Sequence, residues 1–284
     1  MHALPRNPVW EHVDDLAQPL TAHSSNALRI KLVTAGTIVG EEVQRLKIKL
    51  SDKSVVVPIS AATQRAAFEL GKLVPPVLLR VANSVDDVGV EMGGGRRRMD
   101  KTQNKRIRNN ARQRARRTRA LVIRNRSALK IVMPGVATQQ AYGHVVNGAS
   151  AAQTHDMRVN LKGATQFGGT QACITTSLAW LFGPAADSAV KNVYEQLDMW
   201  FLTWRDLDAI ERKETKRAWA IAVGKVLKGG NLKRTKGPLE ATIAAVMHLG
   251  WNPAAPNYWV ISATEWVKLD GKAFARFQVT AKAQ

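Results

Sequence analysis

Cys173 is the only cysteine in this 284-residue chain. No disulfide can form within the chain, and a thiolate zinc site, which takes two to four cysteines, is excluded. Aromatic residues are scarce at 6 %, and acids are outnumbered, 22 against 42 lysines and arginines. No apolar run reaches the roughly 18 residues of a membrane span, so no transmembrane helix is expected. The start, Met1-His2-Ala3-Leu4-Pro5-Arg6, lacks the apolar stretch of a secretory signal. The six histidines, His2, His12, His23, His144, His155 and His248, show no metal-ligand spacing. These absences point to an intracellular protein, nuclear or cytoplasmic and not secreted. What is present in excess is positive charge, a net +20 with a pI near 10.6. Such a balance favours a polyanionic partner, nucleic acid first and an acidic membrane surface second. The 45 % apolar fraction is ordinary for a globular protein and allows one large domain or two smaller ones.

The charge is concentrated. From Arg96 to Arg126 there are fourteen basic residues and one acid, Asp100. They are Arg96, Arg97, Arg98, Lys101, Lys105, Arg106, Arg108, Arg112, Arg114, Arg116, Arg117, Arg119, Arg124 and Arg126. Gly93-Gly94-Gly95 precedes them as a joint. Ile107, Ala111, Ala115, Thr118 and Val122 recur at helical spacing. Leu121, Leu129 and Val132 extend the stripe, and Pro134-Gly135 ends it. The expectation is a long basic helix, docked by a narrow apolar seam, whose other faces carry arginine. Arginine suits bidentate contacts with phosphate. Each contact releases counterions, so affinity is independent of sequence and sensitive to salt. No aromatic lies in the run, so base stacking is not its task. The plainer alternatives are a solvated basic face or a localisation signal.

Before this run the pattern reads as strand, turn, strand, helix and strand. Val9 to Val13 is a strand, Asp14-Asp15 the turn, and Leu16 to Leu20 the return. Ser24-Ser25-Asn26 offers caps for a helix from Ala27 to Leu46. Leu46 to Leu50 and Lys53 to Val57 read as β, around a turn at Ser51-Asp52. A helix over Ala61 to Lys72 follows, then a strand over Val77 to Val81, and Val85 to Met92 leads to the glycine joint. After Pro134 the chain reads as mainly helical. Gln139 to Val146 is a helix with Tyr142 on its apolar side, and Met157 and Leu161 share another. Ala185 to Trp204 is amphipathic, with a stripe of Val190, Val193, Tyr194, Leu197, Trp200, Phe201 and Trp204 that reads as core. Helices over Leu207 to Leu227 and from Gly237 to Gly250 follow. Trp259 to Val279 suggests a hairpin turning at Asp270-Gly271. The fold class expected is α+β: a small palm-like unit over 1–95, a basic connector over 96–133, a helical thumb-like region over 134–256, and a hairpin or tail over 257–284.

Asp-Asp pairs are common in solvated turns, but three features here stand in a telling order. They are His12-Val13-Asp14-Asp15, Leu50-Ser51-Asp52-Lys53-Ser54 and the basic run. This order resembles the back half of a reverse transcriptase palm and its thumb, as found in protist non-LTR retroelements. In that family a hairpin carries an aromatic-X-Asp-Asp motif, and a later turn ends in lysine. Asp87-Val88-Gly89-Val90, Ala141 to His144, Gly237 to Thr242 and His248 to Trp251 resemble stretches beyond the polymerase core. The likeness covers roughly residues 9–260.

The resemblance implies that Asp14 and Asp15 hold Mg²⁺ or Mn²⁺, weakly if at all, with Lys53 near the leaving pyrophosphate. It also implies a further metal-binding Asp on an earlier strand and a fingers subdomain, both of which would precede Met1. The chain is therefore expected to be a fragment without polymerase activity of its own, and His12 departs from the family's aromatic. The nucleic acid, RNA or DNA, would be held by its backbone, with no membrane as partner. Two alternatives are a non-enzymatic nucleic-acid-binding protein working through the arginine helix and an unrelated basic scaffold protein, for instance ribosome-associated.

Overall fold

The computed structural model describes residues 10–12, 15–17, 20–47, 54–58, 60–73, 80–82, 84–87, 90–93, 100–167, 172–229 and 235–269. The fold is α+β and mostly helical, and the chain divides into two compact units, Met1–Met99 and Asp100–Gln284.

In the first unit, β1 (Trp10–His12) and β2 (Asp15–Ala17) form an antiparallel hairpin in which His12 pairs with Asp15. The hairpin is where the sequence placed it, but its turn is one residue earlier than expected. Asp15 already belongs to the return strand, whose described part is Asp15–Ala17. Helix α1 (Ser25–Arg45) begins where the Ser24 side chain accepts from the Ala27 N–H at 3.2 Å. It ends in Leu46 and in Lys47, which has φ 55, so these two close the helix instead of opening the expected strand. Positions 48–53, including Lys53, lie outside the described residues.

β3 (Val55–Val56) pairs in parallel with β4 (Arg80–Val81), and α2 (Ala61–Leu73) lies between them in sequence, as a parallel crossover requires. Ala66, Ala67 and Leu70 of α2 are buried, as is Ala35 of α1. Gly36 lets the two helices close up: a Cβ there would sit 2.2 Å from Leu70 Cδ2. β5 (Ser84–Asp87) and β6 (Val90–Gly93) form a second antiparallel hairpin.

The second unit begins with α3 (Lys101–Lys105), a π-helical segment (Arg106–Ala111) and α4 (Arg112–Arg124), which run on without a break. The break comes at Asn125, in extended conformation, earlier than the expected stop at Pro134-Gly135. A 3₁₀ segment (Arg126–Ile131) and a second π segment (Val132–Ala137) follow, and Pro134 lies inside the latter. Where pairing widens from 3₁₀ to π spacing, donors are left over, and proline has none to lose.

The expected helix over Gln139 to Val146 is two short pieces, α5 (Thr138–Ala141) and α6 (His144–Asn147), broken where Gly143 takes φ 77. Tyr142 sits at that break and is exposed, not on an apolar face. Helix α7 (Ala151–Thr165) starts with a reciprocal capping box between Ser150 and Gln153. Then come α8 (Ile174–Phe182), α9 (Ser188–Asp206), α10 (Ala209–Gly229) and α11 (Gly237–His248).

A three-stranded antiparallel meander closes the described chain: β7 (Asn252–Ala255), β8 (Tyr258–Val260) and β9 (Trp266–Lys268). Trp259 pairs with Val267, and the chain turns back between these strands at residues 261–265; the expected turn at Asp270-Gly271 lies outside the described residues.

Two buried clusters hold this unit. One gathers Leu197, Trp200, Phe201 and Trp204 of α9 with Trp219, Ile243, Val246, Trp251, Trp259 and Val267. The stripe read on α9 is therefore core, except Val190, which is exposed. Two of the cluster's indoles donate to carbonyls, Trp200 to Pro256 and Trp219 to Pro253, each at 2.8 Å. The other cluster joins Ala111 and Ala115 to Val132, Val136, Leu161, Ala164 and Leu178.

Candidate nucleic-acid interface

The arginine helix is docked by the seam that the sequence spacing marks. Ile107, Ala111, Ala115, Thr118 and Val122 are all buried, and Gln103 extends the line by one turn. Steps of four residues overshoot an α-turn by about 40°. The wider π turn over Arg106–Ala111 absorbs that drift and keeps Gln103, Ile107 and Ala111 in line. Small residues at 111 and 115 let α7 approach closely, where it supplies Leu161 and Ala164.

Polar side chains of α7 and α5 complete the docking. Asn160 donates to the Ile107 carbonyl at 2.9 Å, inside the π segment, and to Gln140 Oε1 at 3.4 Å. Gln140 donates in turn to the Met157 carbonyl at 3.1 Å. Gln153 donates to Asn104 Oδ1 at 3.0 Å. Buried groups satisfied this fully fix one register of the helix on α7.

The arginines stand outside this seam. Arg108, Arg112, Arg116 and Arg119 follow one another at steps of four, four and three along one flank, and all are exposed. Arg114, Arg117 and Arg124 are exposed along the other. Among the described residues, two of these have hydrogen-bonded partners. Arg108 pairs with Asp156 at 3.0 Å, and Arg114 donates to the Gly135 carbonyl at 3.1 Å. Arg106, half-buried, donates to the Tyr142 carbonyl at 3.3 Å and lies 4.8 Å over that ring.

Arg112, Arg116, Arg117, Arg119, Arg124 and Arg126 have no acidic partner among the described residues. From Arg112 to Arg119 the row extends about 10 Å at about 1.5 Å per residue. Leu121 and Ile123 are exposed beside the arginines, so Leu121 does not extend the seam, while Val132 is buried and Leu129 partly so.

The remaining expected site residues lie elsewhere. Arg96, Arg97, Arg98, Asp14 and Lys53 fall outside the described residues, and Asp15 is the first residue of β2. Among the described residues no three His, Cys, Asp or Glu side chains gather as a metal site. Also among them, no helix is long and apolar enough to cross a membrane.

The structure adds groups that the sequence pattern did not single out. His144 is buried, with Nδ1 against the Ala141 carbonyl and Nε2 3.3 Å from Glu195 Oε2. Burial pulls its imidazole below the ordinary 6.5, outweighing the Ala141 carbonyl and Glu195, which favour the charged form. Arg158 and Asp187 pair at 2.8 Å, and Asp187 also caps α9. Trp180 stands almost free on α8. Its neighbours Leu178, Ala179, Leu181 and Phe182 form a continuous apolar run, and periodicity cannot tell the outward residue in such a run from the inward ones.

No family model, curated protein or solved structure matches this chain.

Proposed function

We propose that this chain binds nucleic acid through the backbone, on the row of arginines presented by the π segment and α4. The observation that carries the proposal is the contrast across one helix. Its apolar seam is buried and hydrogen-bonded into α7, while Arg112, Arg114, Arg116, Arg117, Arg119 and Arg124 on its other faces have no acidic partner among the described residues. A rigid helix that holds unneutralised guanidinium groups in rows is a phosphate-binding surface. It reads charge spacing and not base identity, so RNA and DNA are both substrates for it.

Binding is tested by fluorescence anisotropy with labelled duplex and single-stranded oligonucleotides. Arg112→Ala/Arg116→Ala/Arg119→Ala should weaken binding to every sequence alike. Unchanged affinity in that variant would overturn the proposal.

A second reading is that the chain is part of a non-LTR reverse transcriptase palm and connector. It is favoured by the β1–β2 hairpin close to the Asp14-Asp15 pair, with α1 following it. Asp14 and Asp15 supply two carboxylates where the resemblance calls for three, and we derive no nucleotidyl-transfer step from them. Weak Mg²⁺ or Mn²⁺ binding that Asp14→Asn reduces would support this reading, and metal binding unchanged by that substitution would remove it.

A further inference from the structure

Of the 13 residues of α4, only Ala115, Thr118 and Val122 are buried, and all the others are exposed. The helix is held along one narrow line and stands proud of the protein on its remaining sides. At about 100° per residue, its other side chains fall into three sets around that line. Arg112, Arg116 and Arg119 lie about 90° to one side of the seam, and Arg114, Arg117 and Arg124 about 120° to the other. Between these flanks, opposite the seam, come Gln113 and Ala120, both exposed and neutral. No acid occurs from Lys101 to Met133.

Different polyanions ask for different shapes of such a helix. A single strand offers one line of phosphates, engages one flank, and gains affinity from bases stacked on aromatic rings. No aromatic residue occurs from Lys101 to Ala141. An anionic membrane is a plane, and it takes a helix whose apolar side chains make one face. The exposed Leu121 and Ile123 of α4 fall on opposite flanks, and no large apolar residue lies on the crest between them. A duplex groove has phosphates on both walls. The major groove of B-form DNA is about 12 Å wide and admits an α-helix, which with its side chains is about 10–12 Å across. The major groove of an RNA duplex is too narrow for one.

We propose that α4 docks in the major groove of duplex DNA. Arg112, Arg116 and Arg119 meet the phosphates of one wall, Arg117 and Arg124 those of the other, and Gln113 and Ala120 face the floor. The proposal rests on the backbone-binding reading above and ranks the substrates of that surface, with duplex DNA before duplex RNA and single strands.

The test uses the full chain with a short mixed-sequence DNA duplex, its single strand and the RNA duplex of the same sequence. Anisotropy should show the DNA duplex bound about 10-fold or more tighter than the other two. Vesicles of phosphatidylserine and phosphatidylcholine should not displace it. Arg112→Ala/Arg116→Ala/Arg119→Ala and Arg117→Ala/Arg124→Ala should each weaken the DNA duplex, reducing the magnitude of its salt slope by about 2–3 and about 2. Arg114 is left in place because it also donates to the Gly135 carbonyl. At saturation, methylation by dimethyl sulfate should fall at guanine N7, which opens into the major groove, and stay unchanged at adenine N3, which opens into the minor groove.

Unchanged N7 methylation overturns the groove docking. So does equal or tighter binding of the RNA duplex or the single strand, displacement of the DNA by vesicles, or full duplex affinity in Arg117→Ala/Arg124→Ala. Each of these leaves the backbone reading standing, provided Arg112→Ala/Arg116→Ala/Arg119→Ala is weakened on every nucleic acid. A triple variant that binds them all as the parent does would instead overturn the backbone reading.

Discussion

Two ends of the second unit treat positive charge differently. Around α9 and α10 four cations are paired, Lys191 with Glu195 at 3.5 Å, Arg205 with Asp206 at 2.8 Å, Arg217 with Glu214 at 2.8 Å and Lys225 with Glu240 at 3.6 Å, while Lys213, Lys216 and Lys228 of α10 have no acidic partner among the described residues. On α4, Arg112, Arg116, Arg117, Arg119 and Arg124 have no such partner among the described residues. Both ends are anchored by buried clusters, so the difference is not one of packing. Exposed ion pairs contribute little to stability, about 0–1 kcal/mol. The acids near α9 and α10 are therefore not needed to hold the fold, and their effect is to neutralise the surface. Leaving the arginines unneutralised costs some self-repulsion and keeps their charge available to a polyanion. One end neutralises part of its surface charge, and the other leaves its charge open.

The comparison can be broken first at the aromatic end. Trp219→Ala removes a fully buried indole and its bond to the Pro253 carbonyl. It should destabilise the unit by about 3–5 kcal/mol, read as the midpoint of chemical denaturation. A loss well under 1 kcal/mol would mean that this cluster is not the anchor. Next comes the docking of the arginine helix. Asn160→Ala leaves the Ile107 carbonyl without its donor and should cost about 1–3 kcal/mol. Binding should fall with it only to the extent that the helix comes off α7. Full stability in Asn160→Ala would show that the π segment needs no outside partner.

His144 sharpens the comparison by pH. Its imidazole sits below the ordinary 6.5 because it is buried. The unfolded chain therefore binds the proton more readily than the fold, and stability rises with pH through that window. The contribution of the neutral imidazole is complete above the ordinary value and is lost as the solution is acidified toward the lowered one. His144→Gln should flatten thermal stability between about pH 7.5 and 5.5. An equal slope in parent and variant would remove His144 as the source. Smallest in stability is Arg112→Ala/Arg116→Ala/Arg119→Ala. Each exposed site should change stability by no more than about 0.5 kcal/mol, measured by denaturation. A larger loss would mean that the arginines belong to the fold after all.

Where the sequence was legible, one period repeated over several turns. The seam from Ile107 to Val122 and the stripe from Leu197 to Trp204 each carry four or more inward residues at helical spacing, and all of them are buried. The hairpin at His12 was legible to within one residue, since alternation marks a strand but not which of two adjacent aspartates turns. The break at Asn125 was not legible, because a capping asparagine looks like any polar residue until its side chain accepts from the Ser127 N–H. Nor was the passage of Pro134 through a helical segment, where a change in hydrogen-bond spacing removes the usual penalty. In the candidate interface, the arginines could be read from composition. Their lack of acidic partners could not, since pairing is settled by residues such as Asp156, 48 positions from Arg108.

The central claim is that unpaired arginines hold phosphates, and salt titration tests it most directly. Log K for a duplex should fall linearly with log salt, with a slope of about −0.9 for each phosphate held. Arg112→Ala/Arg116→Ala/Arg119→Ala should reduce the magnitude of that slope by about 2–3 while the protein stays folded. A slope near zero in the parent, or the same slope in parent and variant, would contradict the account.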